Sequence, residues 1–172
     1  RGPLDGRYKS ATEPLVDYLS EAALNRDRVH VEVEWFIYLC DHKVLPGLEP
    51  LTEDQKKGLR EIVTEFTEES TAELAEIEAV TVHDVKAVEY FIGRRLEKLG
   101  LERLKPLVHF GCTSEDINNL SYALMVQGAV RDVWLPRATA LVEALAAASE
   151  TEAAAARGHA QARPVSSQGI PA

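Results

Sequence analysis

Polar clusters that precede apolar residues at helical spacing most constrain what this chain can fold into. Thr52 with Gln55, and Thr113 with Asp116, have the spacing of a capping box, in which the residue before a helix and the third residue inside it bond each other's backbone. Apolar residues then recur three and four positions apart, which is typical of an amphipathic helix packed on a core. The two stripes are Leu59, Ile62, Val63 and Phe66, and Ile117, Leu120, Leu124, Ala129, Val130 and Val133.

The first stripe predicts a single helix over about residues 52–78. Thr81 with Asp84 predicts the next helix start, with His83 in its first turn. The stripe that follows stops at Gly100, and glycine is the usual residue just beyond a helix C-terminus. Its apolar members are Val85, Val88, Ile92, Leu96 and Leu99.

The segment RVHVEVEWFIYLC, residues 28–40, is ambiguous, because its early alternation of apolar and polar residues is typical of a strand. Nothing nearby supplies a partner strand, so we predict a helix. The residues that favour a helix, at intervals of three, four and seven positions, are Val33, Phe36, Ile37 and Cys40.

The remaining segments complete an all-α prediction. Residues 1–15 are rich in Gly, Pro and charge and predict an irregular arm before the first helix. Pro136 is expected to kink or divide the long helix that starts after Thr113. Residues 137–156 are dominated by Ala, with Leu141 and Leu145 as larger contacts, which favours close helix packing. No strand of a stable sheet is predicted.

Composition narrows the function classes. The chain has 172 residues with 28 acidic and 19 basic side chains, and its net charge of -9 disfavours binding to nucleic acid. No stretch approaches the length of a membrane span and no secretory signal is recognisable, so a cytoplasmic location is expected. Cys40 and Cys112 lie far apart without metal-ligand spacing, so we expect reduced thiols and neither a metal nor an organic cofactor.

Thr113 and Ser114 lie at a predicted helix N-terminus, where backbone N–H groups are unpaired and the helix dipole is positive. Such a position suits an anion. A purely structural alternative is that Thr113 or Ser114 only caps the helix and Asp116 completes the cap.

Three further residues allow the same two interpretations. His83 and Asp84 either complement the helix dipole or hold an imidazole near a bound anion. Arg7, next to Tyr8, is either solvated or presents its planar fork to a phosphate or carboxylate.

Taken together, the motifs PLDGRY, TVHDVKAVEYF and HFGCTSEDINNLSYALM resemble, in order and spacing, those of bacterial adenylosuccinate lyase, from about Pro3 to Pro136. TSEDINNLS with HDVKAVEYF is specific within the wider fumarase and aspartase superfamily. The resemblance implies an all-α fold with an N-terminal helical domain, residues 1–108, and the first long helices of the central bundle, residues 109–156. Residues 157–172 form a divergent or truncated tail.

The resemblance also implies an activity and a site. The family eliminates fumarate from adenylosuccinate, giving AMP, and from SAICAR, giving AICAR, and it acts as a homotetramer whose active sites each use three subunits. The implied substrate-binding residues of this chain are Arg7, Tyr8, Val82, His83, Asp84, Thr113 and Ser114. Thr113 and Ser114 would hold a carboxylate of the succinyl group, and His83 would contact substrate directly.

The tail departs from the family pattern. RGHAQA keeps Arg157, His159 and Gln161 in the frame of the family's Arg-Thr-His-Gly-Gln-Pro motif, and the resemblance makes His159 the candidate general acid. The equal alternative is an exposed terminal histidine. The family's base is a Ser on a Gly-rich loop beyond residue 172, and both ends of the chain look like cuts, so this chain alone is expected to be inactive.

Two alternatives remain open from the sequence. One is a helical module that keeps the binding motifs but acts only by assembly or ligand binding, because the apolar faces of residues 113–156 must self-associate or stay exposed. The other is a different lyase of the superfamily, such as argininosuccinate lyase, against which HDVKAVEYF argues.

Overall fold

The computed structural model describes residues 6–161, without the side chains of residues 158–161. All regular structure in this range is helical, so the all-α prediction is confirmed. Short turns of helix open the chain and longer helices follow. The α-helices are α1 Lys9–Thr12, α2 Val16–Leu19, α3 Glu21–Asp41, α4 Glu53–Thr64, α5 Glu68–Thr81, α6 Asp84–Lys98, α7 Ser114–Gly128 and α8 Leu135–Gln161.

The ambiguous segment is a helix, as predicted, and it forms the centre of the core. α3 begins after Ser20, whose hydroxyl accepts a hydrogen bond from the backbone N–H of Ala23 at 3.1 Å. Its apolar side packs among α4, α5 and α6 and the 3-10 turn Glu102–Leu107. The α3 residues in this core are Val29, Val33, Phe36, Ile37 and Cys40.

The capping boxes at the starts of α4 and α7 are confirmed. At α4, the backbone N–H of Thr52 donates to Gln55 Oε1 at 2.9 Å, and the Gln55 N–H donates to Thr52 Oγ1 at 3.2 Å. Each of these two N–H groups bonds to a residue only three positions away, so the sequence pattern predicts this helix start without knowledge of the fold.

The prediction of one helix over residues 52–78 is wrong, because the chain breaks between α4 and α5. Thr67 starts a separate helix through its own capping box, in which its N–H donates to Ser70 Oγ at 3.3 Å. Phe66, just before this cap, points into the core, with its ring centroid 5.9 Å from that of Phe91. The break lets α5 fold back and pack on α6.

The start of α6 also differs from the prediction. Thr81 is the last residue of α5 and does not cap α6; the N-cap is His83. The predicted stop is confirmed, because α6 ends at Lys98 and Gly100 has the left-handed φ of +69°. The predicted disturbance near Pro136 is present and begins upstream, as the π-helical segment Ala129–Trp134. Pro136 has no N–H for the ordinary helical bond, which favours such a change of winding.

The chain divides into two compact units at Ala129/Val130. The first contains the core around α3. In the second, α8 carries exposed apolar side chains, with Leu141 60% and Leu145 62% exposed. The domain limits 1–108, 109–156 and 157–172 that the resemblance implies stay a prediction. No helix in residues 6–161 is both long and apolar enough to cross a bilayer.

Candidate functional site

The N-terminus of α6 presents a histidine whose role in the fold is clear. His83 has an extended backbone, and its Nδ1 accepts a hydrogen bond from the backbone N–H of Lys86 at 3.2 Å. An accepting Nδ1 carries no proton, so the neutral ring has its proton on Nε2. The His83 side chain is 53% exposed, so Nε2–H is available as a donor to a ligand.

Asp84, the first residue of α6, is fixed by hydrogen bonds from two directions. Its Oδ1 accepts from the Val85 N–H at 2.8 Å, and its Oδ2 accepts from Arg28 Nη2 at 2.5 Å. Partial burial opposes ionisation, but the Val85 N–H and the positive charge of Arg28 outweigh it, so the pKa of Asp84 lies below its ordinary value. Asp84 is therefore an ionised anchor for the helix start.

The N-terminus of α7 has two hydroxyls with different roles. The backbone N–H and the hydroxyl of Thr113 both donate to Asp116 Oδ2, at 2.8 and 3.0 Å, and these bonds lower the pKa of Asp116. Thr113 is thus committed to the cap. Within the described residues, the half-buried Ser114 hydroxyl makes no hydrogen bond, so it can donate to an anion at the positive end of the helix.

The loop before α7 is attached to α3 by a buried carboxylate. Glu32, 1% exposed, accepts from the His109 backbone N–H at 3.0 Å and contacts His109 Nδ1 at 2.6 Å. Trp35 adds a third bond, from its indole N–H to the carbonyl oxygen of Phe110 at 2.8 Å. These contacts hold His109 at the left-handed φ of +62°, which few residues other than glycine adopt.

Val82, between α5 and His83, also has a left-handed backbone, with φ +52°, and its side chain is almost fully exposed. Its N–H donates to the carbonyl oxygen of Glu78 at 2.8 Å, which ends α5. A β-branched residue is strained in this conformation. The side chain packs on little, so it adds little to the core, and its implied part in substrate binding stays a prediction.

The structure brings together some of the predicted residues and leaves others apart. Arg28 joins Asp84 of α6 to Asn118 of α7, four positions after Ser114, so the two helix starts are linked. Arg7 and Tyr8 are exposed, and within residues 6–161 no hydrogen bond joins their side chains to either start; the Arg7 guanidinium lies 5.6 Å from the centroid of the Tyr8 ring.

The predicted acid His159 lies on the backbone of α8, and its side chain is outside the described part of the structure. Its role therefore stays a prediction.

Two α3 side chains that organise the site, Arg28 and Glu32, are not among the residues predicted from the sequence. They are one helical turn apart, and Phe36 and Cys40 continue the same row into the core. Charged residues in register with buried apolar ones are a signal of paired buried charge. Their partners on other parts of the chain, Asp84, Asn118 and His109, are 56 to 90 positions away. The sequence therefore indicates that this row of α3 side chains is paired, but it does not show which residues pair with it.

The arrangement suits the binding of a carboxylate. It offers the N-terminus of α7, the Ser114 hydroxyl and the His83 Nε2–H as donors, beside the fixed Arg28 and Asp84 pair. At the start of α6 the Val85 and Lys86 N–H groups are taken by Asp84 and His83. Cys40 and Cys112 are free thiols. Among the residues that the structure describes, no cluster of three His, Cys, Asp or Glu side chains is placed to hold a metal ion.

Comparison with known families agrees with the helical fold, because the family whose model matches is a helical domain of the fumarase and aspartase superfamily. The chain belongs to the lyase family, whose model, described as Lyase, matches residues 6–164.

Curated relatives include three bacterial proteins named adenylosuccinate lyase. That of Legionella pneumophila (strain Corby) is 41% identical over 135 residues, which are 78% of this chain and 30% of the relative. The Haemophilus influenzae protein is 40% identical over 149 residues, 86% of this chain and 33% of the relative. The Escherichia coli (strain K12) protein is 40% identical over 144 residues, 83% of this chain and 32% of the relative. The chain thus spans about a third of the length of these relatives.

Proposed function

We propose that this chain is a portion of an adenylosuccinate lyase, a carbon–nitrogen lyase that eliminates fumarate from adenylosuccinate and from SAICAR. The observation that carries the proposal is the pair of linked helix starts, where His83 and Ser114 present free donors on either side of the Arg28 contact. About 40% identity to proteins of that name supports it. A homotetramer, a cytoplasmic location and the absence of a cofactor belong to the same proposal.

The succinyl group of adenylosuccinate carries carboxylates, and the reaction places negative charge on one of them. Elimination removes a proton from the carbon next to a carboxylate, and the resulting carbanion shares its charge with that carboxylate before the carbon–nitrogen bond breaks. Donors that already point at the developing charge lower the barrier, because nothing has to reorganise. Ser114 and the first N–H groups of α7 would be such donors.

The roles of the two hydroxyls follow from their partners. Thr113 donates to Asp116 and so holds the helix start in shape, whereas Ser114 is free to meet the substrate carboxylate. His83, with its proton on Nε2, would donate to a second acceptor of the substrate. Arg7 and Tyr8 would contact the nucleotide side. The proton acceptor is proposed to lie outside this chain, and His159 to supply the proton for the departing nitrogen.

Isothermal titration of the chain with adenylosuccinate, AMP and fumarate tests the binding half of the proposal. We expect adenylosuccinate to bind more tightly than either product, and the double variant Thr113→Ala/Ser114→Ala to lose that preference. Thr52→Ala is the matched control, because it removes a capping hydroxyl of the same chemistry from α4, away from the site. Equal binding of adenylosuccinate by the double variant and the control would contradict the assigned site.

A chimaera tests the catalytic half. Replacing the matching segment of the Escherichia coli relative by this chain should give a protein that releases fumarate from adenylosuccinate. A Ser114→Ala chimaera should be slower by at least about a hundredfold, the usual loss when one transition-state donor is removed. A folded chimaera that binds adenylosuccinate but releases no fumarate would favour the alternative of a non-catalytic binding module.

A further inference from the structure

Arg28 lies where three helices meet, and its guanidinium has a partner on each of them. It is 5% exposed. Its Nη2 donates to Asp84 Oδ2 at 2.5 Å, its Nε donates to Asn118 Oδ1 at 2.9 Å, and its Nη1 donates to Asn25 Oδ1 at 3.1 Å. Asp84 opens α6, Asn118 lies in the second turn of α7, and Asn25 lies one turn earlier on α3. A buried charge is costly unless its donors have hydrogen-bond acceptors, so the positions of these three acceptors are closely constrained.

The two outer contacts fix the spacing between the helix starts. The Nε and Nη2 atoms belong to one planar group, so the acceptors on α6 and α7 are held at a separation set by covalent geometry. Asn118 follows Ser114 by one helical turn and therefore shares its face of α7. Asp84 adjoins His83. The guanidinium thus bridges the helix that begins with Ser114 and the helix that His83 caps.

Arg28 also affects which nitrogen of the His83 ring carries the proton. Asp84 Oδ1 lies 3.6 Å from His83 Nδ1, the nitrogen that accepts from the Lys86 N–H. If Arg28 released Oδ2, the carboxylate would be free to turn and accept a hydrogen bond from the other ring tautomer, in which Nδ1 carries the proton and can no longer cap the helix. By holding Asp84, Arg28 keeps the proton of the neutral ring on Nε2, toward solvent.

We propose that Arg28 is a positioning residue that sets the spacing and orientation of His83 and Ser114 for a dicarboxylate-bearing substrate. This inference rests on the proposed function for the identity of the substrate, but its geometric content does not. A lysine at this position would keep the charge yet could not reach the acceptors of both helices with a planar fork. Arg28→Lys is therefore the informative variant.

Two readouts on the full chain separate the inference from the proposed function. The first is the affinity for adenylosuccinate, which Arg28→Lys should weaken by at least about tenfold, as expected when binding groups are misplaced. The second is the long-range proton–nitrogen NMR spectrum of the His83 ring, assigned with His83→Asn. It should show the Nε2–H form in the wild type and an averaged form in Arg28→Lys.

Arg60→Lys is the matched control. Arg60 also reaches α3 through a two-pronged contact, to Glu34 at 2.7 and 2.9 Å, but lies on α4 at the surface. Both readouts should stay at wild-type values in this variant. If Arg28→Lys behaves as Arg60→Lys does in both readouts, the inference is overturned. If the wild type fails to bind adenylosuccinate, the proposed function fails and the NMR comparison alone decides the inference.

Asn118→Ala covers the case in which Arg28→Lys does not fold. It removes the α7 contact of Arg28, together with the bond from Asn118 Nδ2 to Glu115 Oε1 at 3.3 Å, and leaves the Asp84 contact in place. We expect the His83 spectrum of this variant to match the wild type and its affinity to fall. An affinity equal to that of the wild type would show that the link to α7 does not position Ser114, and would overturn the inference.

Discussion

The buried carboxylate of Glu32 and the strained residue His109 form a single anchoring unit. Glu32 accepts the His109 backbone N–H at 3.0 Å and lies 2.6 Å from its Nδ1, while the His109 backbone stays at φ +62°. Burial raises the pKa of Glu32, and the bonds from His109 act in the opposite direction. The loop that leads into α7 therefore depends on a side chain of α3 whose partner no local sequence pattern identifies.

Glu32→Ala should lower the free energy of unfolding by roughly 3 kcal/mol, because it leaves the His109 donors buried without an acceptor. Glu34→Ala, two positions along α3, is the control. Glu34 pairs with the exposed Arg60, and such surface pairs contribute little. Urea denaturation of both variants measures the difference. Similar losses in the two variants would show that the Glu32 contact does not stabilise the loop.

Glu73 makes stability depend on pH in a defined direction. Hydrogen bonds from Arg95 and then Arg94 outweigh partial burial and lower the pKa of Glu73 below its ordinary 4.5. The unfolded chain therefore binds a proton more readily, so the contribution of Glu73 is present above pH 4.5 and is lost as the pH falls through the lowered value. As the pH falls, we expect the free energy of unfolding to decrease by up to about 1 kcal/mol more in the wild type than in the Glu73→Gln variant.

Glu32→Gln is the control of opposite sign for that measurement. The pKa of Glu32 is raised from 4.5, so the folded chain holds the proton more tightly and the wild type loses stability, relative to this variant, as the pH rises through the raised value. Unfolding curves over a pH series give both differences. If the two variants diverge from the wild type in the same direction, the assigned burial and pairing are wrong.

The strain at Val82 can be released by substitution. Val82→Gly and Val82→Asn should each raise the free energy of unfolding by about 1 kcal/mol, because both residues tolerate a left-handed backbone. Val80→Asn is the control, since Val80 is similarly exposed but lies inside α5 with ordinary helical geometry. It should not stabilise the chain. Equal effects at both positions, measured in urea, would remove the argument from backbone strain.

The elements that the sequence predicts correctly are those defined by nearby residues. The capping boxes of Thr52 with Gln55 and Thr113 with Asp116 join residues three positions apart. The buried stripe of α3 fits helical spacing, and the lack of a nearby partner strand decides for the helix. The box at Thr67 is missed because it ends in a serine rather than an acidic or amide side chain. The apolar pattern continues across that break and hides it.

The candidate site is only partly predictable for a related reason. His83 and Ser114 are apparent as polar residues at helix starts, but the capping role of His83 depends on which ring nitrogen is left without a proton to accept a hydrogen bond. The link through Arg28 joins residues of α3, α6 and α7 that only the tertiary fold brings together. Sequence reasoning therefore finds the donors but not what holds them at a fixed spacing.

Thr113 and Ser114 should separate into a structural and a binding role. Thr113→Ala removes a hydroxyl donor to Asp116 and should lower the melting temperature with a modest effect on adenylosuccinate affinity. Ser114→Ala should leave the melting temperature unchanged and weaken binding by about tenfold, the value of one hydrogen bond to a charged group. Calorimetric melting and titration of each variant test the split. The reverse pattern would assign the anion contact to Thr113.

The capping role and the binding role of His83 can also be separated by the choice of substitution. Asparagine supplies a side-chain oxygen that accepts the Lys86 N–H, so His83→Asn should keep the cap of α6 and the melting temperature of the wild type. It lacks a donor at the position of Nε2, so adenylosuccinate should bind about tenfold more weakly. His83→Ala should lose both the cap and the affinity. If His83→Asn binds as tightly as the wild type, the ring serves only as a cap, and the donor that meets the substrate at this helix start is the backbone rather than the imidazole.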